Sequence, residues 1–307
     1  MTTSSRAHRL RSVVSIVLVL CAVAIVQLAC GGSSKLQTPV PPNQPTFDHV
    51  VLVVEENHSY ADVIGSSDMP YLNSLASKYG LATQYFANAH PSLPNYLVLT
   101  TGQMEALTDT FAGTINDDSV VRELTKAGKS WKAYIESIPS AGYTGADAGL
   151  YARRHNPFVY LSDVDSSSSE ASNVVPFTQF ATDLASNALP QYSFIVPNLD
   201  DDAHNGSLPQ ADAWLQANID PLIANPAFQS SGLLIITFDE GDQSDISHGG
   251  GQVATLLIGS KVKPGYQSKT FFQHESTLRL VLAASGVNSF PGLAAVAPDM
   301  TEFFNQQ

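Results

Sequence analysis

The stretch "VVLVVEENHSYADVIG", residues 50–65, decides the reading of the fold. Five apolar residues, Val50 to Val54, run without a polar break. Such a run has no alternation, so it describes a strand buried on both faces, as in a parallel sheet covered by helices. Glu55, Glu56, Asn57 and His58 follow directly. Burying carboxylates without partners is costly, so a buried strand that runs into this cluster needs something at its end to receive it.

Two further apolar strands end the same way. "YSFIVPNL" (192–199) runs into Asp200, Asp201, Asp202, Ala203 and His204, and "GLLIITFDE" (232–240) ends in Asp239 and Glu240, followed by Gly241 and Asp242. Taken singly, such ends make Asx turns or helix caps. Between the strands lie segments of helical spacing: "MPYLNSLASKYG" (69–80), "SVVRELTKAGK", "FTQFATDLASN", "PQADAWLQANIDPLIANP" and "HESTLRLVLAASG" (274–286). Alternation of this kind predicts an α/β fold, a three-layer α/β/α sandwich with a mainly parallel central sheet. The three polar ends then share one sheet edge, the edge where such sheets bind ligands. Carboxylates crowded there raise one another's pKa. A divalent cation would relieve them, and oxygen donors with a few imidazoles suit Zn, Mn, Mg, Fe or Ca.

"ANAHPSLPNYLVLTTG" (87–102) places Ser92 at the mouth of a short helix. A helix N-terminus offers free N–H groups and a positive dipole end, which favour phosphate. A serine there beside a metal could ionise and attack phosphorus. It could equally serve as an N-cap.

Composition narrows the partners. The 307 residues are 44% hydrophobic and 14% charged, with a formal net charge of −13. That suits a globular domain and disfavours nucleic acid, which wants a basic footprint. An anionic small substrate needs a local positive centre. The N-terminus reads as a targeting segment: Arg6, Arg9 and Arg11, an apolar run from Val13 to Val26, then "QLACGGSS". This predicts a lipoprotein signal peptide over residues 1–29, with Cys30 as the lipidated first residue of the mature chain. A plain transmembrane anchor is the alternative reading. Either one exports the domain to the cell envelope and leaves membrane contact to the N-terminal anchor. Cys21 falls inside the segment, so Cys30 has no disulfide partner in the mature chain. Residues 30–46 are rich in Gly, Ser and Pro and read as a flexible tether, followed by one domain from 47 to 307.

Six stretches in order, "VVEENHSYADVIG", "HPSLPNYLVLTTGQ", "YARRHNPFVYLSDV", "FIVPNLDDDAHNG", "IITFDEGD" and "QHESTLRLVLAASG", resemble the phosphoesterase family of bacterial and fungal acid phosphatases and phospholipases C. That family is similar in fold to the alkaline phosphatases. The resemblance implies hydrolysis of a small phosphorylated substrate or a phospholipid headgroup, and it assigns roles. Glu56, Asn57, Asp239 and Glu240 would bind a metal. Ser92 would be the nucleophile and form a phosphoseryl intermediate. Asn95 would hold a phosphate oxygen. His204 and His274 would move protons, and Asp202, in the same loop as His204, would bind substrate. His90, Lys132, Arg154 and His155 lie in matching segments that would bind substrate. Within the opening stretch, Glu55 and His58 would face outer partners or solvent.

Departures from the pattern limit the reading. A two-metal alkaline phosphatase would carry Asp where Glu56-Asn57 stands and Asp-His where Asp239-Glu240 stands, so a single divalent ion is expected. Sulfatases need x-Pro-x-Arg after the nucleophile, and position 96 is Tyr. An acid phosphatase-like monoesterase is the expected activity. A phospholipase C or other phosphodiesterase, and a surface lipoprotein that binds without turnover, are the rivals.

Overall fold

The structure is a computed structural model, and it describes residues 37–305. Residues 1–29, expected to be a signal peptide, and Cys30 lie outside the described residues. Eight strands form one sheet: β1 (His49–Glu55), β2 (Gly80–Ala82), β3 (Trp131–Ile135), β4 (Val174–Pro176), β5 (Tyr192–Val196), β6 (Gly232–Phe238), β7 (Thr255–Ile258) and β8 (Gln267–Ser268). Their spatial order is β4-β3-β5-β1-β6-β7-β2-β8. β1 lies between β5 and β6 and runs parallel to both, with Val53 level with Ile195 on one side and Ile236 on the other. β7 runs antiparallel to its neighbours β6 and β2, which makes the sheet mixed but mostly parallel. The short strands β2, β4 and β8 carry too few residues for a pattern to reveal them in sequence.

The helices, in chain order, are α1 (Tyr60–Val63), α2 (Pro70–Lys78), α3 (Ser92–Thr101), α4 (Val120–Lys126), α5 (Ser162–Asp165), α6 (Ser168–Ala171), α7 (Thr178–Ala185), α8 (Leu208–Ala224), α9 (Pro226–Ser231) and α10 (His274–Ala284). α3, α4 and α10 pack together as one layer, and α2, α8 and α9 belong to the other. No helix among the described residues is long and apolar enough to cross a membrane.

Helix layers on both faces explain the unbroken apolar run. Val50 to Val54 are fully buried, each worth about 1.5–3 kcal/mol relative to exposure. α3 is buried along its whole length. Pro94 falls in its first turn, where the missing N–H costs nothing. Gly102 closes the helix at φ +70°, and a Cβ there would meet the Pro291 carbonyl at 2.5 Å, so both backbone and space require glycine.

Of residues 30–46, the segment expected to be a tether, the structure describes those from 37 onward. Residues 37–46 lie against the domain. The Thr38 N–H donates to the Ala295 carbonyl at 2.8 Å, and Phe47 N–H to that of Ala284 at 2.8 Å. Arg279, 2% exposed on α10, donates to the carbonyls of Thr38, Pro39, Ala294 and Ala295 at 2.6–3.0 Å. A guanidinium has enough donors in one plane to serve all four, which Gly, Ser and Pro content could not reveal. Arg279→Leu should leave these acceptors unpaired and lower stability by about 3 kcal/mol, read as a fall in the urea midpoint. Protease should then cut between residues 37 and 46 before the rest of the domain.

Candidate active site

The parallel trio brings its three polar ends together. The Glu56 N–H donates to the Asp202 carbonyl at 2.9 Å, and the Asp239 N–H to that of Glu55 at 2.8 Å. The loops after β5 and β6 are thus tied to the end of β1. Successive strand residues face opposite ways. Glu56 points to the α3 side, where Ser92 opens the helix. Glu55 is not directed to solvent: it is fully buried, neither of its oxygens has a hydrogen-bond partner, and burial with the charges of Asp202 and Asp201 pushes its pKa well up.

The Ser92 hydroxyl is 2% exposed and lies 3.1 Å from Glu56 Oε2 and 3.2 Å from Glu240 Oε1. It has one proton, so it donates to one carboxylate at a time. Glu240 Oε2 is 2.6 Å from His90 Nδ1, and His90 Nε2 is 3.0 Å from the Asp245 carbonyl. Ser92, Glu240 and His90 form a continuous hydrogen-bonded line. The other Glu56 oxygen accepts from the Tyr96 hydroxyl at 2.6 Å. Asn57, at φ +61°, donates its N–H to Asp239 Oδ1 at 3.1 Å and its amide to Glu56 Oε2 at 3.2 Å. Asn is among the residues that tolerate this left-handed geometry.

A second group lies on the far side of Glu56. His155 Nε2 is 3.4 Å from Glu56 Oε1, and His155 Nδ1 is 3.3 Å from Asp202 Oδ2. Glu56, His155 and His204 offer ligand atoms that all lie within 4.8 Å of one another. His204 Nε2 accepts from the Arg154 guanidinium at 3.0 Å, which leaves Nδ1–H to donate to Asn205 Oδ1 at 3.0 Å. Arg154 stands at the mouth, in a cleft of about 540 Å³ bordered by Asp109, Thr110, Phe111, Asp147, Tyr160 and His204.

These residues fit a divalent cation. Asp202 Oδ2, Asp239 Oδ2 and His155 Nε2 are buried with no hydrogen-bond partner. Burial, then the charge of Glu240, pushes Asp239 up to about 8, and burial pushes Glu240 up to about 8. Burial, with Asp239 and Asp202 next, pushes Glu56 well up. Burial, with Arg154 next, holds His155 well below the usual imidazole range and therefore neutral, the form that ligates metal. Two imidazoles among carboxylates suit Zn, Mn or Fe rather than Ca or Mg.

Several side chains lie elsewhere than the sequence suggested. His274 is fully buried; its Nε2 donates to the Asp239 carbonyl at 2.6 Å and its Nδ1 lies 3.1 Å from the Tyr85 hydroxyl. Burial lowers its pKa to about 4. It fixes the turn that carries Asp239 and has no nitrogen left to move a proton. Asn95 does not face the cleft: its amide oxygen accepts from the N–H groups of Asn88 and Ala89, and its nitrogen donates to the carbonyls of Ala89 and Pro91. It braces the loop that sets Ser92. Lys132 sits near the start of β3, its ammonium 2.6 Å from Asp183, in another cleft beside Trp131 and Lys129. That is the end of the strand remote from Ser92.

Of two further participants, Tyr96 and Asp109, the first carried a usable signal and the second did not. Tyr96 is four residues after Ser92 and so shares its helix face; its ring stacks on His155 at 5.3 Å. Asp109 accepts the Leu93 N–H at 3.0 Å and lies 3.6 Å from Arg154, across a loop that no periodicity marks.

The phosphoesterase family profile matches residues 66–288. Phosphatidylinositol-3-phosphatase of Mycobacterium tuberculosis is 38% identical over 263 residues, covering 85% of this chain and 84% of that protein. The phosphate-repressible acid phosphatase of Penicillium chrysogenum is 33% identical over 260 residues, 79% of this chain. The chain spans 60% of that fungal protein's length. Among solved structures, a protein of the alkaline phosphatase superfamily from Vibrio parahaemolyticus superposes with a TM-score of 0.60 at 13% identity, over 86% of this chain and 73% of that one. The lipoteichoic acid synthase LtaP of Listeria monocytogenes gives 0.60 at 12% identity, over 88% and 80%. The last two likenesses speak to the fold alone, which is alkaline phosphatase-like. The profile match and the closer identities go further: the chain belongs to the phosphoesterase family and is a phosphoric ester hydrolase.

Proposed function

We propose that the chain is a metal-assisted phosphomonoesterase with Ser92 as nucleophile. The observation that carries this reading is the Ser92 hydroxyl, at the N-terminus of α3 and within 3.2 Å of two buried carboxylates. The relatives' names, phosphatidylinositol-3-phosphatase and acid phosphatase, support a monoester substrate.

Glu56 and His155, with the free oxygen of Asp239, are the groups that would hold one divalent ion, joined by His204 Nε2 once the Arg154 guanidinium turns from it to the phosphate; the ion would neutralise phosphate oxygens and lower the Ser92 pKa when bound. The positive end of α3 and the Arg154 guanidinium favour the phosphate at the cleft mouth. Ser92 Oγ attacks phosphorus in line and gives its proton to Glu240, whose other oxygen is backed by His90. The ester P–O bond breaks, and the leaving alkoxide gains a proton through cleft water. A water then attacks the phosphoserine and gives up its proton to cleft water, the Ser92 Oγ–P bond breaks as Glu240 returns its proton to Oγ, and inorganic phosphate leaves. His204 takes the role of a ligand here, and the proton passes along Glu240 and His90.

Ser92→Ala should lower kcat for p-nitrophenyl phosphate by about 10³-fold or more while leaving the melting temperature within a few degrees. Near-normal turnover would refute the nucleophile. Acid quenching during turnover of radiolabelled substrate should trap phosphate on the wild-type chain and not on that variant. A panel of p-nitrophenyl phosphate, bis-p-nitrophenyl phosphate and phosphatidylcholine should give the highest kcat/KM on the monoester. Preference for either diester would favour the phosphodiesterase reading, and turnover of none would favour binding alone.

The metal leaves its own mark on stability. Asp239 and Glu240 have folded-state pKa values raised to about 8, above the usual carboxylate range near 4. Between about pH 4 and pH 8 the metal-free folded state therefore binds more protons than the unfolded chain, and stability falls as pH rises. Chelated protein should melt lower at pH 8 than at pH 5, and Zn or Mn should restore more at pH 8. A metal effect equal at both pH values would count against carboxylate ligation.

A further inference from the structure

We infer that the end of the domain opposite the cleft rests on a lipid bilayer, so that the cleft opens into water. The inference depends on reading residues 1–30 as an export and anchoring segment, and it is independent of the chemistry proposed for Ser92.

The fold has two functionally different ends. α3 and α10 both begin at the site, with Ser92 and His274, and run away from it. At about 1.5 Å per residue, the ten residues of α3 carry the chain roughly 15 Å to Gly102. There the Leu293 N–H donates to the Gly102 carbonyl at 2.9 Å. Leu293 is 57% exposed, Val296 49% and Met104, two residues beyond Gly102, 50%. Three large apolar side chains open to solvent around one junction form a patch of the kind that marks an interaction surface.

The N-terminal segment joins the domain at the same junction. The Thr38 N–H is bonded to the carbonyl of Ala295, and the Gln37 amide to that of Asn288. Cys30 and Gln37 are seven residue steps apart, which span at most about 25 Å fully extended. A chain anchored at Cys30 keeps this end within that distance of the lipid, with Ser92 a helix length further out.

Charge agrees with this orientation. Lys129 lies beside Gly286, and Lys261 donates to the Thr46 carbonyl while lying over the Phe47 ring, both on the side where the chain enters β1. Lysines at an anionic lipid surface contribute about 1 kcal/mol each. The cleft rim carries both signs, Asp109 and Asp147 beside Arg153 and Arg154. Leu107 and Ile246 are exposed at that end, but on separate loops beside Asp109 and Asp245. Substrate then arrives from the aqueous compartment and not from headgroups of the anchoring bilayer.

Fluorescence quenching on the full chain tests the orientation. The protein is reconstituted into vesicles of phosphatidylethanolamine and phosphatidylglycerol, with an environment-sensitive fluorophore on Val296→Cys or, at the cleft rim, on Ala146→Cys. Label on the unmodified chain gives the background from the native cysteines. Iodide should quench the Val296→Cys label at least fivefold less than the Ala146→Cys label. Adding Leu293→Asp and Met104→Asp, both at exposed positions, should abolish the difference. Equal quenching, stronger protection at the rim, or failure of the chain to float with the vesicles would overturn the inference. So would protection that persists in detergent with the mass of two chains, which would make the patch a contact with a second copy. None of these readouts uses turnover, so they are separate from the outcome of Ser92→Ala.

Discussion

The structure depends on the parallel placement of β1 between β5 and β6. Three strands running the same way must end at one edge, and each of these three ends in acid. The backbone bonds from Glu56 to Asp202 and from Asp239 to Glu55 lock the three ends together. Glu55, Glu56, Asp202, Asp239 and Glu240 are therefore buried in one region, with pKa values raised by burial and by one another. A fold tolerates so much buried like charge only if protons or a cation offset it. The neutral His155 imidazole and the unpartnered oxygens of Asp202 and Asp239 supply the donors for the second solution.

Around this cluster, much of the polar chemistry is structural. His274 holds the carbonyl of Asp239, and Asn95 uses both ends of its amide on the loop from Asn88 to Pro91. Tyr96 orients Glu56 through its hydroxyl and His155 through its ring. Each of these contacts sets the position of a neighbouring group of the site. The nucleophile proposed at Ser92, held between two carboxylates, would need this bracing, because small displacements of the reacting atoms are expensive in rate.

The same parallel geometry gives the domain its polarity. Helices that return between parallel strands start where the strands end, so their N-termini collect at the site and their C-termini at the opposite edge. Ser92 and His274 are at one end for that reason. Gly102, Ala284 and the junction with the N-terminal segment are at the other. The cleft and the lysine-flanked apolar patch follow this division.

Much of the fold was legible in the chain itself. The unbroken run Val50–Val54, the alternation of strand and helix patterns and the polar ends at Glu55, Asp200 and Asp239 were enough for a parallel sheet with a site at one edge. Ser92 was legible too, since Pro94 and Gly102 bracket its helix. These are local signals, set by side-chain period and backbone preference over a few residues. The roles of His274, Asn95 and Lys132 were not legible, because a motif names a residue type at a position and says nothing of where its polar atoms point. His155 joins Glu56 across 99 positions, and Arg279 reaches residues 38 and 39 from the last helix. The sequence alone determined which groups arrive at the sheet edge, because strand direction and period are local properties. Which of them face the cleft and which brace it was decided only by tertiary packing, because hydrogen-bond partners distant in sequence compete for every buried polar atom.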